Sequence, residues 1–353
     1  MSRVSLNISL LNGHSSSKTE RNFLKYLLNE FNSDNIFDED IDSGIWNFKI
    51  KNRLVNIEYH SDTSVSRSDI LFLHLSKDIC KVTKMKLLIA NILGIKNIVV
   101  FTHTLELNDI KKIIMKRNFK SNKIEFIYIN DNGFKDLLNR TKLVDYLKNF
   151  KLLGSANREL IIPVSNVFDI DKQHTAINGR VLSSKLNVND IITINPGNIS
   201  TKVLEIQKDH RTILSANTGD NIGILIKKIK SEINEGMVIS NDTLEDIHFI
   251  QSKVIVIHPT EGIEKGMVCD FIGTHIYTKC KIDKLIKTVD IMDKSICKNP
   301  ELISYGSSAI MTIALRKSIV AKKYSTNHKL GSFYLRKENS DEIIGVGIIK
   351  SCH

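Results

Sequence analysis

The chain has 353 residues, 42% of them hydrophobic and 25% charged, with a formal net charge of +11. That length suffices for two or three domains with buried cores, and no segment is apolar for long enough to span a membrane. The start, Met1-Ser2-Arg3-Val4, lacks a long apolar core followed by a small-residue cleavage site, so a cytoplasmic address is expected.

The five cysteines, Cys80, Cys269, Cys280, Cys297 and Cys352, are odd in number and show no C-x-x-C spacing. This argues against a disulfide framework and against a zinc site. The positive charge fits a polyanionic surrounding such as RNA, but the Ile-, Lys- and Asn-rich bias of an AT-rich genome also raises the lysine count. Composition leaves both readings open.

In chain order, an apolar strand from Val4 to Leu11 runs into Gly13-His14-Ser15-Ser16-Ser17-Lys18-Thr19, and a helix is predicted from Glu20 to Phe31. An intact phosphate-binding loop reads G-x-x-x-x-G-K-[ST]: its second glycine lets backbone N–H groups curl round the phosphates, and its hydroxyl holds Mg²⁺. Lys18 and Thr19 keep their types here. The spacer from Gly13 is one residue short, however, and Ser17 stands at the second glycine. Taken alone the match is weak, and the alternative for Ser15 to Ser17 is a polar turn capping the next helix.

Further strands are predicted at Val55 to Ile57, Ile70 to Leu75, Asn97 to Thr102 and Phe126 to Ile129, separated by charged segments of helix length. This is an α/β pattern with a parallel sheet. From about Arg158 the rhythm changes to short β-branched runs broken by Gly, Asn and Asp: Ala176 to Leu182, Ile191 to Ile194, Ser200 to Ile206 and Gly223 to Ile229. Others follow at Ser252 to His258, Met267 to Ile272, Ser308 to Leu315 and Glu342 to Ile349. Their spacing predicts two consecutive β-barrels or sandwiches. Lys148 to Arg158 is the expected linker, and Ser240 to Ile247 a second boundary. The expected domains are residues 1–153, 154–246 and 247–353.

One α/β domain with a loop remnant, followed by two β-barrels, resembles the translational GTPases of the elongation factor 1-alpha branch. The resemblance spans nearly the whole chain and is strongest in the barrels. Gly179-Arg180-Val181 with Leu186 to Asp190 is similar to the family's G-R-V, G-x-L-x-x-G-D strand pair. Ala216-Asn217-Thr218-Gly219-Asp220-Asn221-Ile222-Gly223 is similar to its A-x-x-G-D-N-V-G turn, and Glu235 to Val238 to its K-G-x-V. In the last barrel Val254 to His258 before Ile263 to Gly266, and Gly331 to Arg336 before Ile344 to Gly347, match at family spacing.

The nucleotide motifs stand in place and each is altered. Asp42 to Phe48 resembles a shortened first switch without the Mg²⁺-binding threonine. Glu58-Tyr59-His60-Ser61 occupies the D-x-P-G position, so the glycine that contacts the γ-phosphate is replaced by Ser61; Asp62 follows where the family has its water-positioning histidine. Leu93 to Glu106 aligns with L-G-x-K-x-I-V-V-x-x-N-K-M-D, putting His103, Thr104 and Glu106 at the guanine-reading asparagine, lysine and aspartate. Losing about three charge-assisted hydrogen bonds, each worth roughly 1.5–3 kcal/mol, weakens nucleotide binding a thousandfold or more. The resemblance therefore implies a degenerate P-loop GTPase-like domain kept as a scaffold: GTP and Mg²⁺ weak or absent, hydrolysis not expected, and Gly13, His14, Lys18, Thr19, Glu58, Ser61, His103, Thr104 and Glu106 as remnants of the nucleotide site.

Within that branch, a broken switch disfavours carrying aminoacyl-tRNA, a task that needs the GTP state. The class II release factor and the ribosome-rescue GTPase instead deliver a tRNA-shaped protein, the class I release factor or its Pelota-type paralogue. Their last barrel binds that partner through a strand reading G-R-F-T-L-R-D in the release factor. Gly331, Phe333, Leu335 and Arg336 match it, while Ser332 and Lys337 depart from it. On a strand, Phe333 and Leu335 would form an apolar face while Tyr334 and Arg336 offer the partner a polar one; plain barrel packing is the alternative. The expected function is a release factor of the termination branch that positions a class I release factor on the ribosome, with ribosomal RNA met by the basic surface. A rescue-type or exosome-bridging partner of a Pelota-type factor, and a ribosome-bound dormancy factor, stand beside it. His258, His275 and Cys280 fit no metal-cluster spacing, and no catalytic constellation is found.

Overall fold

The computed structural model describes residues 6–12, 36–40, 45–50, 53–58, 68–75, 87, 89–102, 123–130, 133–134, 137–150, 159–208, 210–290 and 295–353. They fall into two units, Met1–Leu152 and Leu153–His353. The first holds a sheet of β1 (Leu6–Asn12), β2 (Ile36–Asp40), β3 (Ile45–Ile50), β4 (Arg53–Glu58), β5 (Ile70–Leu75), β6 (Asn97–Thr102), β7 (Lys123–Asn130) and β8 (Gly133–Phe134). Their spatial order is β2-β3-β4-β1-β5-β6-β7-β8. The pairs from β4 through β1, β5 and β6 to β7 are parallel, and the two ends of the sheet are antiparallel.

All six residues of β5 are buried, five of them apolar and the sixth His74, as in a parallel strand covered on both faces. The helix Leu137–Asn149 adds Leu143 and Leu147, one turn apart, to the core formed by Leu6, Ile8, Val55, Ile57, Phe72 and Phe101, and Phe150 joins them. The expected linker is thereby corrected at its start: Lys148 and Asn149 end this helix, and Phe150 packs in the core. Ile45 to Phe48, within the stretch that resembles the first switch, are strand residues paired with β4.

The second unit holds two closed six-stranded β-barrels. The first comprises β9 (Ile162–Asp169), β10 (His174–Arg180), β11 (Lys185–Asn187), β12 (Ile191–Asn195), β13 (Ile199–Lys208), β14 (Arg211–Ile213), β15 (Ser215–Asn217), β16 (Asn221–Lys227) and β17 (Val238–Ser240). Its ring runs β12-β17-β9-β10-β16-β13 and closes where β13 meets β12. Alternation builds its core: Ile222, Ile224 and Ile226 all point inward from β16. Beside the turn before β16, Lys208 and Asp220 form a buried ion pair at 2.6 Å, their side chains 5% and 3% exposed. Asp220 also accepts the Asn217 N–H at 2.9 Å.

The last barrel comprises β18 (Ile247–Val256), β19 (Ile263–Glu264), β20 (Val268–Gly273), β21 (Tyr277–Asp290), β22 (Ile296–Lys298), β23 (Leu302–Ile303), β24 (Ser307–Ile319), β25 (Ser332–Lys337) and β26 (Ile343–Cys352). Its ring runs β20-β25-β26-β18-β24-β21 and closes where β21 meets β20, with β22 appended to β21. A separate apolar cluster joins the barrels: Ile161 and Val238 of the first meet Leu244, Val320 and Leu330. Beside it Lys322 is ion-paired with Glu159, and Gly236, at φ +86°, brings its Cα so close to Ile276 that an added Cβ would sit 3.1 Å from Cγ1.

Candidate functional site

Of the residues that resemble a nucleotide site, Glu58 is described: it closes β4, half-buried, opposite Ser9 of β1. Gly13, His14, Lys18, Thr19, Ser61, His103, Thr104 and Glu106 lie outside the described residues. The strands that precede them, β1, β4 and β6, run parallel, so their C-terminal ends share one edge of the sheet. That edge is where open α/β sheets bind ligands.

The strand expected to bind a partner is β25, held between β20 and β26. Gly331 precedes it where no side chain fits, since a Cβ would lie 2.5 Å from the Tyr324 Cα. Phe333 and Leu335 point into the barrel; the Phe333 ring stacks on Phe271 with centroids 4.6 Å apart. Gly347 and Gly345 face these two residues across β26, and a Cβ on Gly347 would come within 2.4 Å of the Phe333 ring. Tyr334 is fully buried as well. The expected division of β25 into an apolar inner face and a polar face free for a partner is therefore corrected: Phe333 and Leu335 belong to the barrel's core, Gly331 and Tyr334 are buried as well, and of these five residues Arg336 alone reaches the surface.

Arg336 is itself engaged. Its Nε and Nη2 donate to Oδ2 of Asp270 at 3.2 and 3.1 Å, and its Nη1 donates to Asp341 at 3.4 Å. The guanidinium carbon stands 5.4 Å from the centre of the Tyr277 ring, a cation–π contact. Two further ion pairs flank it, Lys279 with Glu338 and Lys337 with Glu261. Asp270 and Tyr277 escaped the sequence reading. The available signal was a lone acid in the apolar run Met267 to Ile272, because a buried carboxylate needs a cation.

A second polar feature opens on the first barrel. An open cavity of about 660 Å³ is lined by Lys172, Gln173, His174, Lys227, Lys228, Ile229 and Lys230. Lys228 is paired with Asp169 at 2.6 Å and His174 with Asp171 at 2.9 Å. Hydrogen bonds from Lys228 and Thr175 hold the Asp169 carboxyl below its ordinary pKa. Lys172, Lys227 and Lys230 have no carboxylate partner among the described residues, so the cleft is electropositive. Among the described residues no three His, Cys, Asp or Glu side chains are grouped to hold a metal ion, and no helix is long and apolar enough to cross a membrane.

The chain is similar, at low identity and in part, to members of the translational-GTPase superfamily. Residues 249–350 match the family described as GTP-eEF1A C-terminal domain-like. The elongation factor 1-alpha of Coccidioides immitis is 28% identical over 201 residues, which cover 55% of this chain and 43% of that protein. That of Blastocystis hominis is 23% identical over 360 residues, 88% of this chain and 82% of that protein. Among solved structures, the elongation factor SelB of Methanococcus maripaludis with a GTP analogue aligns over all of this chain and 80% of its own, with TM-score 0.64 and 17% identity. Sup35 complexed with GDP aligns over 99% of this chain and 94% of its own, with TM-score 0.51 and 15% identity. At these identities the structural likeness establishes the fold.

Proposed function

We propose that this chain is a translation factor of the class II release-factor type whose nucleotide motifs have eroded, and that it binds a class I release factor and positions it on the ribosome during termination. The observation that carries this reading is a contrast. The order of an α/β domain and two barrels is kept, with likeness in fold to Sup35 over 99% of the chain. The residues that should read guanine and hold the γ-phosphate are replaced by His103, Thr104, Glu106 and Ser61. A scaffold kept while its switch is lost is suited to placement rather than timing.

In this reading the last barrel docks the partner beside Arg336, Tyr277 and Asp341, the electropositive cleft of the first barrel faces ribosomal RNA, and the α/β domain neither hydrolyses GTP nor depends on it. The factor acts in the cytoplasm.

Calorimetric titration of the full chain with the class I release factor of the same organism, with and without GTP and Mg²⁺, tests it. Tight binding indifferent to nucleotide is the expected result. No binding in either condition overturns the reading in favour of a Pelota-type partner or a role on bare ribosomes, and binding that requires GTP restores a working switch.

A further inference from the structure

The outer face of the last barrel carries lysines in register. β21 has two bulges, between Ile282 and Lys284 and between Leu285 and Lys287. Each restores the outward direction after three residues rather than two, so Lys281, Lys284 and Lys287 all project outward while Ile282 and Leu285 stay in the core. The neighbouring strands extend the pattern sideways. Lys287 lies directly opposite Lys298 of β22 on one side and Ile310 of β24 on the other, and Ile310 in turn faces Lys253 of β18. One rung across four strands thus reads Lys298, Lys287, Ile310, Lys253. Asp283 is the one acid between Lys281 and Lys287, and none of the five lysines has an ion-pair partner among the described residues.

This arrangement works against folding, because like charges facing each other across a sheet repel. Lysine is a common guard of exposed sheet edges, which accounts for Lys298. It does not account for Lys253 and Lys287, each of which has a paired strand on either side. Along β21 the bulged spacing sets the ammonium groups roughly 7–10 Å apart, and their flexible stems can follow successive negative groups on a chain. At the end of the ladder Phe249, 45% exposed, shares a rung with Lys281 through Ala314. A row of point cations ending in an exposed aromatic ring suits a single-stranded nucleic acid, whose phosphates meet the lysines and whose base stacks on the ring.

We infer that the outer face of β22, β21, β24 and β18 is a docking surface for the backbone of single-stranded RNA. It is distinct from Arg336 and from the cleft of the first barrel, and it does not depend on the identity of any protein partner.

The test is fluorescence anisotropy of the full chain with a labelled single-stranded RNA of twenty nucleotides, across a salt series. The variant Lys253→Gln/Lys284→Gln/Lys287→Gln removes the ladder, and Lys172→Gln/Lys227→Gln/Lys230→Gln neutralises the cleft as a control. With the ladder removed, affinity at 0.1 M salt is expected to fall about ten- to a hundredfold, and the slope of log affinity against log salt to flatten by about 2. The variant's urea midpoint should be unchanged or higher, since a cross-strand repulsion has gone. Unchanged affinity and slope in the ladder variant overturn the inference, as does a loss confined to the cleft variant. Failure of the parent chain to bind the RNA while it binds polyglutamate also overturns it, and assigns the face to an acidic protein segment.

Discussion

Arg336 closes two of its guanidinium nitrogens, Nε at 3.2 Å and Nη2 at 3.1 Å, on a single buried oxygen, Oδ2 of Asp270. The Asp270 side chain is 4% exposed and that of Arg336 27%. The residue proposed for recognition therefore also neutralises the barrel's own carboxylate. Arg336→Ala should lower the stability of the chain by about 2–3 kcal/mol in urea unfolding, less than the 3–5 kcal/mol of a fully buried pair because the guanidinium is partly solvated. Asp270→Asn should cost less, since the charge that loses its partner is that of Arg336, which is partly solvated and keeps Asp341 at 3.4 Å. Any weakening of partner binding in Arg336→Ala, expected at about 1–3 kcal/mol, must then be compared with Tyr277→Ala, which leaves the Arg336–Asp270 pair in place. A wild-type stability for Arg336→Ala would show that the pair contributes nothing to the barrel.

The buried pair of the first barrel gives a stronger effect. Lys208 and Asp220 meet at 2.6 Å with almost no solvent contact. Asp220→Ala removes the carboxylate from a buried ammonium and also frees the Asn217 N–H, so a loss of about 3–5 kcal/mol is expected. Thermal unfolding followed by circular dichroism reads it directly. A drop below about 1 kcal/mol would mean that water replaces the carboxylate.

Gly347 and Phe333 are coupled by space. A methyl group on Gly347 would lie 2.4 Å from the Phe333 ring, and that ring cannot retreat because it stacks on Phe271. Gly347→Ala should destabilise by about 1–3 kcal/mol. Combining it with Phe333→Leu should recover part of that loss, so the cycle of two single variants and the double variant gives a coupling above about 0.5 kcal/mol. Strict additivity would refute the contact.

His275 sets a pH dependence. Burial pushes its pKa from 6.5 down to about 4, so the folded chain keeps the ring neutral where the unfolded chain protonates it. The stabilisation is fully present above pH 6.5 and is lost as pH falls from 6.5 towards 4, at on the order of 1 kcal/mol per pH unit. Urea midpoints at pH 7, 6, 5 and 4.5 should show this slope, and His275→Asn should flatten it. Identical slopes in the two proteins would assign the acid sensitivity to other groups.

Much of the architecture is legible in the residues, and the failures have physical causes. Ile70 to Leu75, interrupted by His74 alone, and Asn97 to Thr102, with Ile98 to Phe101 apolar, are strands at those bounds. The first strand of the first barrel, Ile162–Asp169, was not expected: it begins next to Pro163 and leaves its second half mostly exposed, so it lacks a clear apolar period. The fourteen-residue strand Tyr277–Asp290 was also hidden, since its bulges space Ile282 and Leu285 three apart, which is not a strand period. Lys148 to Phe150 were read as linker because Lys and Asn mask the apolar series Leu143, Leu147, Phe150. At the candidate site, the resemblance of Gly331 to Arg336 to a family strand pointed to Arg336, but Asp270, 66 positions away in sequence, becomes its neighbour only when β20 pairs with β25. Tyr334 shows the limit of period-two reasoning: a strand in a closed barrel can be covered on both faces.

The apolar seam of Ile161, Val238, Leu244, Val320 and Leu330, with its Lys322–Glu159 pair, has a mechanical meaning. Parting the two barrels would expose this apolar surface to water and break the ion pair, so the seam opposes their separation.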